Sequence, residues 1–302
     1  MTEDSLVSHS RRGAVLLIAG NSVLAVVLFL LQKLFDSAIE RIMVLVLINA
    51  VIGIAGTLFA PGKCLRVLNR NRLAILIWAI AYCVGYGAFL IFPAQLPLGL
   101  FMIASALSPL LGALIFGLRE REKVTATFSL VGLLPFGLLV VLAILEGRFT
   151  SGDHAVALFV FVLVSHTAIQ FGLRSTAHEP NPTEVSSVVS LINAVLLTAL
   201  IAAIHVSYLH FNTRDVFLSA GFAPAVLFLQ FLHLSGLRRS TLSVGALAMS
   251  TSVPIAVLIE EIISRRFHPL SLIVSCLFVI AVLRRERPNT ATSRDVAVAH
   301  EI

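Results

Sequence analysis

The pentapeptide LINAV stands at residues 47–51 and again at residues 191–195, each time within a long apolar run. The two asparagines, Asn49 and Asn193, lie 144 residues apart, close to half of the 302-residue chain. Hydrocarbon penalises an unsatisfied amide by several kcal/mol, so a polar residue placed twice in the same greasy setting marks a duplicated unit built for a bilayer. A second pair of segments keeps nearly the same offset. ASALSPLLGALI (104–115) aligns with AMSTSVPIAVLI (248–259) and sets Pro109 on Pro254.

Composition extends this reading to the whole chain. Hydrophobic residues make up 58% and charged residues 13%, with a mean hydropathy of +0.98. A soluble chain carries about 25% charged residues, and a membrane-crossing helix needs about 20 mostly apolar ones. Ten such stretches fit, at 13–33, 40–60, 72–92, 97–118, 124–145, 154–173, 185–206, 216–237, 242–263 and 268–284. The expected fold is an all-α integral membrane protein with ten transmembrane helices in two inverted five-helix repeats. The repeats occupy 13–145 and 154–284, joined by an external linker at 146–153, with cytoplasmic tails at 1–12 and 285–302. Five is odd, so the second copy enters the membrane from the opposite side. Inverted repeats are a transporter architecture, with the substrate site at the repeat interface near the midplane.

The net charge of +6 and pI near 9.8 report topology rather than a nucleic-acid partner. With the N-terminus inside, only Lys33, Arg41, Arg148, Arg214, Arg265 and Arg266 of the 22 basic residues fall outside. That skew predicts a multi-pass protein of the inner (plasma) membrane with both termini cytoplasmic. PGKCLRVLNRNR (61–72) reads as a cytoplasmic loop able to touch anionic lipid head groups. Residues 13–31 read as the first span, not a signal peptide. The three cysteines form no CxxC and suggest neither a disulfide nor a metal site.

Several stretches together carry a family resemblance. LPLGLFMIASALSPLLGALIFGLREREK (96–123) is similar to the end of the first EamA-type repeat of the drug/metabolite transporter superfamily. SGDHAVALFVFVLVSH (151–166) resembles the Gly-Asp opening of that family's second repeat, and VGALAMSTSVPIAVLIEEIISRRFHPLSLIVSCLFVIAVL (244–283) its last two helices. Two features depart from the pattern: Ala19 replaces a common Trp in the first helix, and SRRF (264–267) replaces the Gly-Glu-Arg after the ninth. The resemblance implies a ten-helix carrier whose first and sixth spans line the cavity.

No HExxH, GxxxxGK or GxGxxG occurs, so neither an enzyme nor a cofactor is expected. The informative residues are the polar ones inside the spans. Asn21, Asn49 and Asn193 fall near the middle of their helices, and at the repeat offset Ser165 and His166 match Asn21 and Ser22. Asn49 and Asn193 fit two roles, cavity lining or interhelical glue worth about 0.6–2 kcal/mol. Asn21 is assigned to the cavity through the resemblance. Trp78, Tyr82 and Tyr86 share a face at i, i+4, i+8. Trp78 and Tyr82 read as an aromatic wall, and Tyr86 as packing near the interfacial belt. Gln230 and His233, sharing a face at i, i+3 toward the cytoplasmic end, fit either snorkelling at the interface, the reading favoured, or a cytoplasmic vestibule. Around Pro109 and Pro254, the residues Ser105, Ser108, Ser250, Thr251 and Ser252 are placed to satisfy freed carbonyls. That arrangement serves either a packing kink or an unwound substrate contact. Glu260 and Glu261 read as an outer ion pair with Arg265 and Arg266.

The expected substrate-binding set is therefore Asn21, Ser22, Asn49, Trp78, Tyr82, Ser165, His166, Asn193, Ser250 and Thr251. No carboxylate, Lys or Arg falls at the midplane, which points to a neutral or zwitterionic metabolite, amino acid or drug-like molecule. His166, with an ordinary pKa of about 6.5, is the candidate for proton coupling, although an uncoupled carrier needs none. The function expected is a secondary transporter, an exporter working by alternating access. The competing reading is a non-transporting scaffold or an intramembrane enzyme. Lipid and a small-molecule substrate are the partners expected, with a homodimer left open.

Overall fold

The computed structural model describes residues 3–35, 37–92, 98–120, 153–204, 213–240 and 242–252, with positions 255 and 273. The expected fifth and tenth spans, the C-terminal tail, Pro254, Glu260, Glu261, Arg265 and Arg266 lie outside these residues, as does most of the linker. Every element among the described residues is a helix. These are α1 (Glu3–Leu34), α2 (Ala38–Phe59), α3 (Pro61–Ile91), α4 (Leu98–Glu120), α5 (Asp153–Thr176), α6 (Pro182–Ile204), α7 (Thr213–Arg239) and α8 (Leu242–Ser250). Six of them, α1 to α3 and α5 to α7, are long and apolar enough to cross a bilayer. Large apolar side chains also point outward, with Phe59 91%, Leu58 76% and Phe217 74% exposed. An outer surface that apolar suits lipid and not water. The chain is thus a multi-pass helical membrane protein.

Local sequence explains the helix ends. Ser37 caps α2 through a reciprocal box: its hydroxyl accepts from the Glu40 amide at 3.1 Å, and the Glu40 carboxylate accepts from the Ser37 amide at 3.3 Å. Ala60 alone joins α2 to α3, and Pro61 opens α3 with a φ already suited to a first turn. This overturns the loop expected at 61–72, most of which is helix. The irregularity is confined to Asn71 (φ −119°, ψ 25°), whose side-chain amide donates to the Val67 carbonyl at 3.3 Å. Residues 3–12, expected as a tail, likewise continue α1 as helix.

Asn71 also donates to Glu179 Oε1 at 2.7 Å, which Arg70 Nε and His178 Nε2 approach at 3.7 Å. Lys63 pairs with Glu184 at 3.5 Å, and Arg238 donates to the Pro180 carbonyl at 3.3 Å. These contacts tie α3 and α7 to the α5–α6 connection at one end of the bundle. At the other end Arg214 donates to the Leu34 carbonyl at 3.3 Å.

The principal packing pairs are α1 with α7, α2 with α6, α3 with α5, α2 with α7, α3 with α6, α4 with α5, α1 with α8 and α4 with α8. Lipid tails are as apolar as the helices, so association relies on close approach at small residues. Gly53 of α2 lies against the backbone of Leu191 in α6, where a Cβ would fall 2.6 Å from its nitrogen. In α1 and α7, Gly13 and Gly236 face each other's carbonyl oxygens. Between α3 and α5 the fit is reciprocal, with Gly172 accommodating Trp78 and Gly85 accommodating Ser165 and His166.

We expect Gly53→Ala to lower the thermal unfolding midpoint in detergent, at a cost of about 1–3 kcal/mol for overpacking a tight contact. Gly62→Ala meets nothing within 4 Å and should leave the midpoint unchanged or slightly higher. Equal losses in both variants would show that close approach at Gly53 is not what holds α2 to α6.

Candidate functional site

A cavity of about 80 Å³ lies between α1, α3, α5 and α7. It has room for a few waters or a small ligand group. One wall is a leucine stripe on α1, Leu24, Leu28 and Leu31, at helical spacing. Another is the stripe Trp78, Tyr82 and Tyr86 on α3. Tyr82 and Tyr86 stack with centroids 4.4 Å apart. The polar residues on the cavity are Asn21, Ser105, His166, Gln170, Gln230, His233 and Ser252, and no charged side chain is among its described lining.

Asn21 is the hub of the polar contacts. Its Nδ2 donates to the carbonyls of Ala248 at 3.1 Å and Met249 at 2.8 Å, and approaches Thr251 Oγ1 at 3.4 Å. The helical run of α8 breaks after Ser250 into a turn at Thr251, whose amide and hydroxyl reach the Ala248 carbonyl at 3.2 and 2.7 Å. Asn21 adds a partner to these carbonyls from another helix. Its Oδ1 is then free to accept from His233 Nε2 at 3.1 Å, which fixes the imidazole with a proton on Nε2. Gly20 lets this happen, because a Cβ there would fall 2.5 Å from the His233 ring.

His166 is held just as firmly. Its Nδ1 faces the Val162 carbonyl at 3.0 Å, so that nitrogen is the donor. Phe101 packs edge-on at 4.9 Å and Tyr86 lies at 5.2 Å, centroid to centroid. The remaining nitrogen, Nε2, has no partner.

The two LINAV asparagines meet each other. Asn193 Nδ2 approaches Asn49 Oδ1 at 3.5 Å, while Asn49 Nδ2 donates to the Leu45 carbonyl at 2.8 Å. Cys83 Sγ sits 3.8 Å from the Asn193 carbonyl and amide oxygens. Neither asparagine is on the cavity. They stand behind it.

Of the residues expected at the site, Asn21, Trp78, Tyr82 and His166 line the cavity. Ser22 and Ser165 do not. Their hydroxyls turn back to the Ile18 and Phe161 carbonyls at 3.0 and 2.9 Å. Ser250 donates to Ala246 and, across to α4, to Ala106, at 2.8 and 3.0 Å, while Thr251 donates to Ala248 at 2.7 Å. Three cavity residues were assigned elsewhere from sequence. Tyr86 was placed in packing, and Gln230 and His233 at the interface, yet both of the latter are buried at 7% exposure. Their i, i+3 spacing on one face was the signal available. What it lacked was the partner, Asn21, which is 212 residues from His233.

No family model and no curated protein matches the chain. A solved structure described only as "Crystal structure of protein" is similar in fold, with a TM-score of 0.66 at 18% identity over 96% of this chain and 98% of that one. At that identity the likeness speaks for the fold alone.

The asparagine pair lends itself to a double-mutant cycle. We expect Asn49→Leu and Asn193→Leu each to lower the unfolding midpoint. The double variant should lose less than the sum, with a coupling of about 0.6–2 kcal/mol. Strict additivity would show that the two amides do not stabilise each other.

Proposed function

We propose that the protein is a secondary transporter of the EamA-like drug/metabolite type, exporting a small neutral or zwitterionic molecule by alternating access. The observation that carries this reading is a cavity deep among apolar helices whose polar side chains are held in place but not all satisfied. It lies between helices of the first half, α1 and α3, and of the second, α5 and α7. Ligand sites in helical carriers occupy such positions.

The packing supports two inverted repeats of five, with the fifth and tenth spans at 124–145 and 268–284. Exchanging α1–α4 for α5–α8, one for one, turns each principal pair into another of them: α1 with α7 becomes α5 with α3, and α1 with α8 becomes α5 with α4. The pairs α2 with α6 and α4 with α8 map onto themselves, and Asn49 and Asn193 pair within the first of these. The repeated LINAV then sits beside the pseudo-twofold axis. Its asparagines hold the halves together.

Alternating access requires each end to open in turn. The contacts of Glu179 with Arg70 and Asn71, and of Lys63 with Glu184, join α3 to the α5–α6 connection, and opening that end would break them. We assign this end to the cytoplasm of an inner (plasma) membrane on its basic residues, with both termini on the same side. We assign proton coupling to His166, which is 2% exposed, lines the cavity and has no partner on Nε2 among the described residues.

Flux tests the function. Proteoliposomes challenged with neutral amino acids and uncharged heterocycles should show uptake or release above protein-free vesicles. An imposed pH difference should drive accumulation by the native protein but not by His166→Gln, which keeps a hydrogen-bonding side chain. Absence of flux with every compound would favour the scaffold or enzyme reading, while uphill transport by the variant would remove His166 from coupling.

Sidedness is tested in a cysteine-free background. Gly62→Cys should react with an impermeant maleimide only from the cytoplasm, and Thr213→Cys only from outside. The reverse pattern would overturn the assigned orientation.

A further inference from the structure

Three residues that line the cavity carry a polar atom buried without a partner among the described residues: Nε2 of His166, Oε1 of Gln230 and Oγ of Ser252. The side chains that carry them are 2%, 7% and 2% exposed. Elsewhere on the same cavity polar groups are matched closely, as Asn21 shows. The unmatched set has one chemical character. His166 has its proton on Nδ1, facing the Val162 carbonyl, so Nε2 is a lone-pair acceptor. Gln230 Oε1 is an acceptor too, and the Ser252 hydroxyl can either donate or accept. What these three atoms lack is a donor aimed at them.

The walls add a shape. The α1 leucine stripe and the α3 aromatic stripe bound a cavity in which a ring finds apolar and π surfaces. No charged side chain stands on the described lining, so an ammonium or carboxylate would enter without a counter-charge in a medium that penalises it heavily.

We infer that the cavity takes an uncharged, planar molecule whose N–H groups donate to His166 Nε2 and Gln230 Oε1 and whose ring lies between the α1 leucines and the α3 aromatics. This rests on the proposal that the cavity is the transport site, and it narrows that proposal by removing zwitterions. His166 is positioned in advance by the Val162 carbonyl, Tyr86 and Phe101, so its acceptor needs no rearrangement to meet a guest. The two acceptors come from α5 and α7, so a guest bound to both links the two helices.

The experiment compares four small probes of matched size on the full-length protein in lipid nanodiscs: benzamide, methyl benzoate, benzoate and benzamidinium. Binding is read by saturable thermal stabilisation and by calorimetry, neither of which depends on transport. Benzamide should bind, with methyl benzoate, which lacks an N–H, at least about tenfold weaker because the acceptors stay unpaired. Both ions should be weaker still. His166→Phe keeps a ring and removes the acceptor, and Gln230→Met keeps the length and removes the amide. Each should erase the benzamide preference over methyl benzoate. Should either variant fail to fold, the other and the native ranking still decide. Equal binding of benzamide and methyl benzoate, preference for either ion, or binding of none of the four would overturn the inference. Flux separates the two proposals. The predicted ranking without flux leaves the ligand class standing and removes the transport reading, while flux of charged compounds alone does the opposite.

Discussion

Inside hydrocarbon there is no water to complete a hydrogen bond, so every polar backbone group must find its partner within the protein. Most of this chain meets that condition by being helical. The places where helices end or are interrupted set the rest of the architecture. Within α4, Pro109 has no N–H for the Ser105 carbonyl, and Ser108 Oγ donates to it at 2.7 Å, so the repair is local and the helix runs on. At the end of α8 Thr251 meets the Ala248 carbonyl locally, and a long-range partner joins it. The Ala248 and Met249 carbonyls receive the Asn21 amide of α1, and that commitment fixes the orientation of Asn21 and, through it, the tautomer of His233. One helix end thereby joins three helices around the cavity.

Close helix approach follows from the same solvent. Without a hydrophobic force between helices, contact depends on small residues and on amides that find one another. On α2, Asn49, Gly53 and Gly56 lie at i, i+4, i+7, and on α6, Ser186, Ser190 and Asn193 follow the same spacing. Gly53 and Gly56 meet Leu191 and Ser187, and the asparagines meet each other. The polar pair and the small stripe therefore act together, the stripe bringing the backbones near enough for the amides to touch.

Much of the fold was legible in the sequence because apolar run length is a strong signal and proline and glycine mark its edges. The first four spans and the sixth to eighth correspond to described helices, and the ninth to one that begins as expected at Leu242. The loop expected at 61–72 failed for a physical reason: charge density was read as irregular structure, while Pro61 and the helix-tolerant residues after it form an amphipathic extension of α3. The site was legible only in part. Depth along a helix can be counted from sequence, which found Asn21, His166, Trp78 and Tyr82. Facing direction depends on which helices pack together, and so Ser22 and Ser165, at the right depth, turn to their own backbone instead. Gln230 and His233 were set too near the interface because their depth was judged from α7 alone, without the partner across the bundle.

Unsatisfied groups are not confined to the cavity, since the Ser186 and Ser190 hydroxyls of α6 also lack partners among the described residues, but three of them belong to residues of the cavity lining. An unpaired buried donor or acceptor costs about 1–3 kcal/mol, and a bundle relieves that cost by filling or pairing the position. This one pairs Asn21 on all sides, yet on the same cavity leaves His166 Nε2, Gln230 Oε1 and Ser252 Oγ open. Water can relieve that cost, being small and able to donate twice. A guest that releases the water must match its donors, and a carrier must also let the guest go. Neutral acceptors meet both demands, because their bonds to a ligand exchange readily for bonds to water. A buried ion pair would hold more tightly and leave a charge exposed to hydrocarbon each time it opened.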